Sequence, residues 1–167
     1  MEQVVLSLGS NQGDRMAYLK KAISFLEYDT KFPLLASSVY QTSAWGFQSN
    51  GLFLNCVISL HTNLPAEKIL ERHQKIEWML GRERKGEGYS SRSIDIDILF
   101  YGDKIIENEG LVVPHPYIEK RKFVLVPLDE ILPQFIHPKL QMPVHKLLEL
   151  CIDKGKVEFF APSVDLF

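Results

Sequence analysis

Two aspartates separated by a single residue carry the clearest chemical signal in the sequence. Asp95 and Asp97 lie in the run Arg92-Ser93-Ile94-Asp95-Ile96-Asp97-Ile98-Leu99, whose alternation predicts a strand. Side chains at i and i+2 of a strand share a face, so both carboxylates point the same way, with β-carbons about 7 Å apart. The isoleucines between and beside them are expected to point into the opposite layer.

Paired carboxylates at this spacing favour a divalent cation. Their mutual repulsion is about 2 kcal/mol at an effective dielectric constant of about 20, and a dication between them reverses the sign of that energy. Hard oxygen donors that leave coordination positions for phosphate oxygens suit Mg²⁺ best. The alternative is a solvent-facing stretch of a half-buried strand, and for the two aspartates alone this alternative is the commoner one.

Basic side chains just before the aspartates favour a phosphate site. A glycine-containing loop over 82–91 leads into the strand, and its region carries Arg82, Arg84, Lys85 and Arg92. Phosphoryl transfer needs cations around the equatorial oxygens and exclusion of water, and a closing arginine flap can provide both. A solvated charge run would explain any one of these arginines, but their combination with the carboxylate pair favours function.

A third signal is an aromatic ring beside an amide. Phe53 and Asn55 share one face of a predicted strand, where a ring can stack on a flat heterocycle and an amide can bind its edge; Phe53 alone suits a core position equally well.

The segment Gly9-Ser10-Asn11-Gln12-Gly13 lacks the Lys-Ser/Thr of a Walker loop. The histidines offer no zinc spacing.

The elements that must position these residues follow from hydrophobic periodicity. Strands are predicted at 3–8, 34–42, 52–60, 94–101 and 157–160. Helices are predicted after an N-cap at Asp14, at 65–80, near 127–131 and at 143–150. The order β-α-β-β-α-β predicts an α+β, ferredoxin-like core with a C-terminal extension in a single domain.

Composition bounds the class of protein. The 167 residues are 46% hydrophobic and 24% charged, which excludes a disordered chain or a coiled coil. A net charge of −2 argues against a duplex nucleic acid partner. The sequence has no apolar run of about 20 residues, no secretory signal and only two cysteines without metal spacing. We therefore expect a cytoplasmic protein with reduced thiols and no membrane partner.

Over nearly its whole length the sequence resembles the 6-hydroxymethyl-7,8-dihydropterin pyrophosphokinase (HPPK) family of folate biosynthesis. The resemblance implies one catalytic domain over 1–167 with an α+β, ferredoxin-like core. It rests on the aspartate block from Arg92 to Ile98 and on an ordered series of flanking motifs: Leu8-Gly9-Ser10-Asn11, Ser38-Val39-Tyr40-Gln41-Thr42, Phe53-Leu54-Asn55, Gln74-Lys75-Ile76-Glu77, Gly81-Arg82, Val113-Pro114-His115-Pro116, Arg121-Lys122-Phe123-Val124-Leu125 and Leu128-Asp129-Glu130-Ile131.

The resemblance implies a Mg²⁺-dependent enzyme that moves the β,γ-pyrophosphoryl group of ATP onto the hydroxymethyl group of the dihydropterin and releases AMP. It implies two Mg²⁺ ions held by Asp95 and Asp97. Catalysis is assigned to Arg82, Arg92 and Asp97, with the hydroxymethyl proton passing late to Asp97 or to a hydroxide on the metal. The implied ATP-binding residues are Leu70, Gln74, Glu77, Arg82, Arg84, Arg92, Ile98, His115 and Arg121. The implied pterin-binding residues are Thr42, Ser43, Trp45, Phe53, Asn55, Asp95 and Phe123.

Several positions depart from the family pattern. Ser43 stands where proline commonly follows the threonine, and Gly88, Tyr89 and Ser90 change the loop before Arg92. Two other functions stay open: a Mg²⁺-dependent phosphohydrolase, and a nucleotide-sensing module without catalysis. The expected partners are ATP and the dihydropterin, and the expected state is a monomer or weak homodimer.

Overall fold

Strands and helices alternate along the chain in the computed structural model, which describes residues 1–28, 30, 32–44, 51–81 and 93–167. Within these ranges the strands are β1 (Glu2–Ser10), β2 (Leu35–Ala36), β3 (Val39–Thr42), β4 (Phe53–Thr62), β5 (Asp95–Tyr101), β6 (Ile106–Asn108), β7 (Leu111–Val113) and β8 (Val157–Ala161). The α-helices are α1 (Arg15–Glu27), α2 (Ala66–Met79), α3 (Lys122–Ile131) and α4 (Val144–Leu150). Short 3₁₀ helices span Ile118–Lys120 and Ser163–Leu166.

One antiparallel sheet organises the described part of the chain. Its strands lie in the order β5-β1-β4-β3-β8, and β2 pairs with β4 beside β3. Each of these pairings is antiparallel. The predicted α+β class is confirmed. The ferredoxin-like arrangement stays a prediction, since two short strands, β2 and β3, stand where one was expected and β8 extends the sheet.

Two apolar cores cover the two faces of the sheet. Alternate residues of β4 divide between them, because Leu54, Cys56 and Ile58 belong to the core beneath α1 and α2, whereas Val57 belongs to the core beneath α3 and α4. The alternation predicted for this strand is therefore confirmed. The thiols of Cys56 and Cys151 are free. Among the described residues no helix combines the length and apolar character needed to cross a membrane.

Helix α1 forms where its pattern predicts. The Asp14 carboxylate accepts a hydrogen bond of 3.0 Å from the backbone N–H of Ala17, which satisfies one of the free donors at the helix N-terminus. The helix buries one stripe at helical spacing, which consists of Leu19, Ala22, Ile23 and Leu26. Helix α2 likewise ends just before Gly81, whose φ of +86° suits glycine at a helix terminus.

Helix α3 begins five residues earlier than the sequence predicts. We expected a short helix near 127–131, because proline disfavours a helix interior, but the helix spans Lys122–Ile131 with Pro127 inside it. Pro127 has no N–H to donate to the carbonyl of Phe123. Burial of Val124, Leu125 and Leu128 against the sheet offsets this lost bond.

The far end of α3 is tied to β3. The Glu130 carboxylate accepts hydrogen bonds from the backbone N–H and the hydroxyl of Ser38, at 3.0 and 2.8 Å, and from the hydroxyl of Tyr40 at 2.9 Å. Partial burial and the neighbouring carboxylate raise the pKa of Tyr40 to about 12. The hydroxyl therefore stays protonated as a donor, and the C-terminal end of α3 is fixed over β3.

The hairpin of β6 and β7 was not predicted. Asn108 pairs with Leu111, so the connection has two residues, Glu109 and Gly110, and Gly110 has a φ of +82°. A two-residue turn with glycine at a positive φ is a recognised hairpin signal. The strands are only three residues long, too short to show a convincing alternation.

We expect a buried histidine to make the protein less stable in mild acid. His73 on α2 is 2% exposed, and burial, followed by the charge of Arg72, lowers its pKa to about 3. Below pH 6.5 the unfolded chain binds a proton that the folded chain excludes, so the unfolding equilibrium constant rises up to about tenfold per pH unit as the pH falls toward 3. Urea unfolding at pH 7 and pH 5 measures this loss of stability. The rise in the unfolding equilibrium constant between these two pH values should be about thirtyfold smaller in His73→Leu than in wild type. The control is His61→Leu at an exposed position; an equal loss in wild type and His73→Leu would contradict the expectation.

Candidate active site

The two aspartates share one face of the edge strand β5, as their spacing predicts. Asp95 pairs with Gly9 and Asp97 with Ser7 on β1. Both carboxylates are half-buried, and the Asp97 side chain is 40% exposed. The three isoleucines of the run, Ile94, Ile96 and Ile98, are buried in the core beneath α1 and α2 on the opposite face.

Glu77 holds the backbone between the two aspartates. It is 4% exposed on α2, and its carboxylate accepts a hydrogen bond of 2.8 Å from the backbone N–H of Ile96. The bond fixes β5 against α2 at the residue that separates Asp95 from Asp97. The structure therefore places this predicted ATP residue behind the carboxylate pair.

His115 lies beside the aspartates, and its Nε2 is 3.8 Å from Oδ2 of Asp97. Burial lowers its pKa, and the positive charge of Arg121 adds to the effect; the Pro116 carbonyl and the charge of Asp95 act in the opposite direction. The imidazole is therefore neutral at pH 7. Since the Pro116 oxygen only accepts, at 2.7 Å from Nδ1, the proton lies on Nδ1 and Nε2 faces the aspartates as an acceptor.

The remaining predicted ATP-binding residues differ in how deeply they are buried. Arg121 is 6% exposed at the start of α3, where its guanidinium carbon lies 6.0 Å from the centre of the Phe123 ring. Ile98 belongs to the core beneath α1 and α2, and the partly buried Leu70 packs against that core. Gln74 is exposed on α2. The predicted loop at 82–91 lies outside the described residues, as do the site residues Trp45, Arg82, Arg84 and Arg92 and the loop positions Lys85, Gly88, Tyr89 and Ser90.

The predicted pterin-edge residues form a buried polar pair on the same sheet face. The side-chain amide of Asn55 donates a hydrogen bond of 2.6 Å to the hydroxyl of Thr42, and the two residues are 4% and 3% exposed. Phe53 is half-buried and pairs with Thr42 across β3 and β4. The pair can bond a polar ligand edge while Phe53 offers a ring face.

A cavity of about 230 Å³ adjoins this pair. Three of the predicted pterin residues, Thr42, Ser43 and Phe123, line it, but Phe53 and Asn55 do not belong to its lining. Its remaining walls were not predicted, and they consist of Ala44, Asp153, Gly155, Lys156 and Val157. The volume is below the roughly 300–1,000 Å³ of drug-sized sites, which suits a small bicyclic ring.

Gly9 connects the carboxylates to the polar pair. Asp95 on β5 and Asn55 on β4 both pair with Gly9 on the strand between them, so their backbones are about 10 Å apart, two strand spacings. A β-carbon at Gly9 would lie 2.7 Å from the Asn55 Oδ1 atom, closer than a van der Waals contact allows. Because Gly9 has no side chain, the sheet surface between the carboxylates and the Asn55–Thr42 pair stays open, and we call this surface the glycine floor.

The chain is similar to known proteins over most of its length. The family model described as 7,8-dihydro-6-hydroxymethylpterin-pyrophosphokinase (HPPK) matches residues 5–133. The chain is 44% identical over 144 residues to the 2-amino-4-hydroxy-6-hydroxymethyldihydropteridine pyrophosphokinase of Aquifex aeolicus, covering 86% of this chain and 89% of that protein. It is 40% identical over 146 residues to the protein of the same name from Porphyromonas gingivalis, covering 86% and 99%.

Solved structures show the same fold. A Plasmodium falciparum HPPK-DHPS structure matches with a TM-score of 0.69 at 15% identity and covers 89% of this chain. This chain spans only 44% of the length of that one, so the likeness concerns the fold alone. The match of the family model, together with 40–44% identity to two pyrophosphokinases over most of the sequence, shows that the chain belongs to the 7,8-dihydro-6-hydroxymethylpterin-pyrophosphokinase (HPPK) family.

Proposed function

We propose how this chain carries out the reaction of its family, the transfer of a pyrophosphoryl group to 6-hydroxymethyl-7,8-dihydropterin in folate biosynthesis. ATP is the donor. The hydroxymethyl oxygen forms a bond to the β-phosphorus, the bond from that phosphorus to the α,β-bridging oxygen breaks, and AMP leaves. The observation that supports this most is the placement of Asp95 and Asn55 on either side of Gly9, which puts a carboxylate and a buried side-chain amide on one sheet face.

The donor set at β5 fits Mg²⁺. Two half-buried carboxylates share a strand face, and the described residues contain no group of three or more histidine, cysteine or acidic side chains placed for a metal. A site of two carboxylates completed by phosphate oxygens is the usual environment of Mg²⁺ in nucleotide enzymes. We propose that Asp95 and Asp97 hold two Mg²⁺ ions with the triphosphate; when bound, these ions would neutralise phosphate charge and polarise the bridging oxygens.

Other side chains bind and orient the nucleotide. The buried Arg121 supplies positive charge near His115, and the neutral His115 offers Nε2 as a hydrogen-bond acceptor beside Asp97. Arg82, Arg84 and Arg92 would add charge around the transferring group, where a planar guanidinium binds phosphate oxygens in pairs. Leu70, Gln74 and Ile98 would contact the nucleoside.

The pterin would lie between aromatic rings with its edge on the polar pair. Phe53 and Phe123 offer ring faces, and the buried Asn55 and Thr42 bond the heterocycle. Asp97 is the residue that we propose to accept the hydroxymethyl proton. Acting on two small molecules, the chain is proposed to work in the cytoplasm as a monomer or weak homodimer, without a nucleic acid partner.

One assay tests the proposed reaction and its metal. The protein is incubated with ATP, Mg²⁺ and 6-hydroxymethyl-7,8-dihydropterin, and AMP and ADP are resolved. We expect AMP only when the dihydropterin is present, and none after chelation of the metal. Phosphate released without the acceptor would instead indicate a phosphohydrolase, and nucleotide binding without any turnover would indicate a sensing module.

Gly9→Ala should weaken dihydropterin binding selectively. The new β-carbon forces Asn55 away from Thr42, and leaving a buried polar group unpaired costs about 1–3 kcal/mol, so we expect KM for the dihydropterin to rise roughly tenfold while KM for ATP stays within about twofold. Initial rates with each substrate varied in turn measure both constants. Ser7→Ala, which removes one atom from the same sheet face, is the control; an unchanged dihydropterin KM in Gly9→Ala would contradict the role of the glycine floor.

A further inference from the structure

We propose that Asp153 is a positioning residue of the pterin site, acting on Phe123 from a C-terminal segment beyond the family match. The family model ends at residue 133, and the segment 153–157 forms a wall of the cavity that Phe123 also lines. The inference rests on the proposed function, because it concerns the same site. It assigns a role to a residue that lies outside the motifs of the family resemblance.

Asp153 caps α3 from 31 positions away. Its Oδ2 atom accepts a hydrogen bond of 3.0 Å from the backbone N–H of Lys122, the first residue of the helix. Its Oδ1 atom accepts another of 2.8 Å from the backbone N–H of Gly155. Arg121, at the N-cap position, makes no capping hydrogen bond through its side chain, so Asp153 provides the acceptor and negative charge that a helix N-terminus favours.

The same segment pairs in register with β3, the strand that carries Thr42 of the polar pair. Val157 pairs with Thr42 where β8 meets β3, and both residues line the cavity. One short stretch therefore holds the helix that bears Phe123 at one end and the strand that bears Thr42 at the other. This arrangement fixes the separation between the aromatic ring and the polar pair.

The cap acts on the turn that bears Phe123 more than on Arg121. The backbone N–H of Arg121 has its own partner in the Ile118 carbonyl at 3.1 Å. The C-terminal end of α3 is held separately by Glu130 on Ser38 and Tyr40. Loss of Asp153 therefore loosens the first turn of α3 around Phe123 without releasing the helix or the nucleotide side of the site.

The test compares KM for the dihydropterin with KM for ATP in variants of Asp153. In Asp153→Ala we expect KM for the dihydropterin to rise about tenfold, with KM for ATP and kcat within about twofold of wild type, since the lost cap loosens the turn that carries Phe123. Asp153→Asn keeps one carbonyl acceptor and should recover part of the loss. Lys154→Ala, at the exposed neighbouring position, is the matched control and should leave both constants unchanged.

A second variant covers the case in which Asp153→Ala does not fold. A β-carbon at Gly155 would lie 3.0 Å from the Asp153 Oδ1 atom, so Gly155→Ala displaces the carboxylate without removing it and should raise the dihydropterin KM in the same direction. Equal rises in both Michaelis constants, or no rise in either, would overturn the inference. Failure of wild type to transfer a pyrophosphoryl group overturns the proposed reaction instead, and calorimetric binding of the dihydropterin to the same variants then decides the role of Asp153.

Discussion

Asp95→Ala and Asp97→Ala should each reduce kcat at least about a hundredfold while the protein stays folded. Each change removes half of the carboxylate pair that we propose for Mg²⁺, and loss of a mere outer partner of a metal ligand already costs 10–100-fold in many sites. Folding should survive because the carboxylates are half-exposed and repel one another. The measurement is AMP production at saturating substrates, together with Tm.

The matched control is Asp103→Ala. This aspartate lies exposed just after the same strand, so its removal changes the net charge equally without altering the pair. We expect its kcat and Tm to equal those of wild type. Wild-type turnover in either Asp95→Ala or Asp97→Ala would exclude the proposed metal role, and a large fall of Tm in both would assign them a role in stability instead.

Arg92→Ala should lower kcat by about 10²–10³-fold with little change in KM for the dihydropterin. Removing a single donor that stabilises transition-state charge typically has this effect, and a guanidinium three positions before Asp95, the first residue of β5, is suited to the transferring phosphates. The effects on kcat and on KM separate because positive charge matters most as the pyrophosphoryl group moves, whereas Asn55 and Thr42 are the residues that we propose for the pterin edge.

Arg92→Lys and Lys75→Ala sharpen this experiment. The lysine retains charge but not the paired donors of a guanidinium, so we expect a kcat between those of wild type and Arg92→Ala. Lys75, exposed on α2, tests the effect of losing one positive charge elsewhere. A defect that saturating substrate fully restores would show that Arg92 contributes to affinity alone.

The first half of the fold was predictable because its signals are local. β1 has a short apolar run that ends at a glycine, β4 and β5 alternate, α1 has a helical stripe, and the Asp14 cap is visible in the sequence. The start of α3 was not predictable from local rules, because Pro127 argues against it and the Lys122 N–H bonds to Asp153, which is distant in sequence. The β6–β7 hairpin was missed because each strand has only three residues.

The candidate site divides in the same way. The shared face of Asp95 and Asp97 follows from strand geometry alone, and the structure also brings His115 to within 3.8 Å of Asp97. The buried bond from Ile96 to Glu77 and the cavity wall at 153–157 depend on how α2 and the C-terminal segment pack. Neither has a local pattern, although Asp153-Lys154-Gly155 has the composition of a turn.

The bond between Glu77 and Ile96 also bears on self-association. Among the described residues β5 is the outermost strand of the sheet, and an outer strand with open donors can recruit a strand from another molecule. The Glu77 carboxylate occupies the Ile96 N–H, and its negative charge would oppose the carbonyl oxygens of an incoming strand. Glu77 fixes the backbone between the aspartates, and we expect the same contact to disfavour edge-to-edge aggregation through β5.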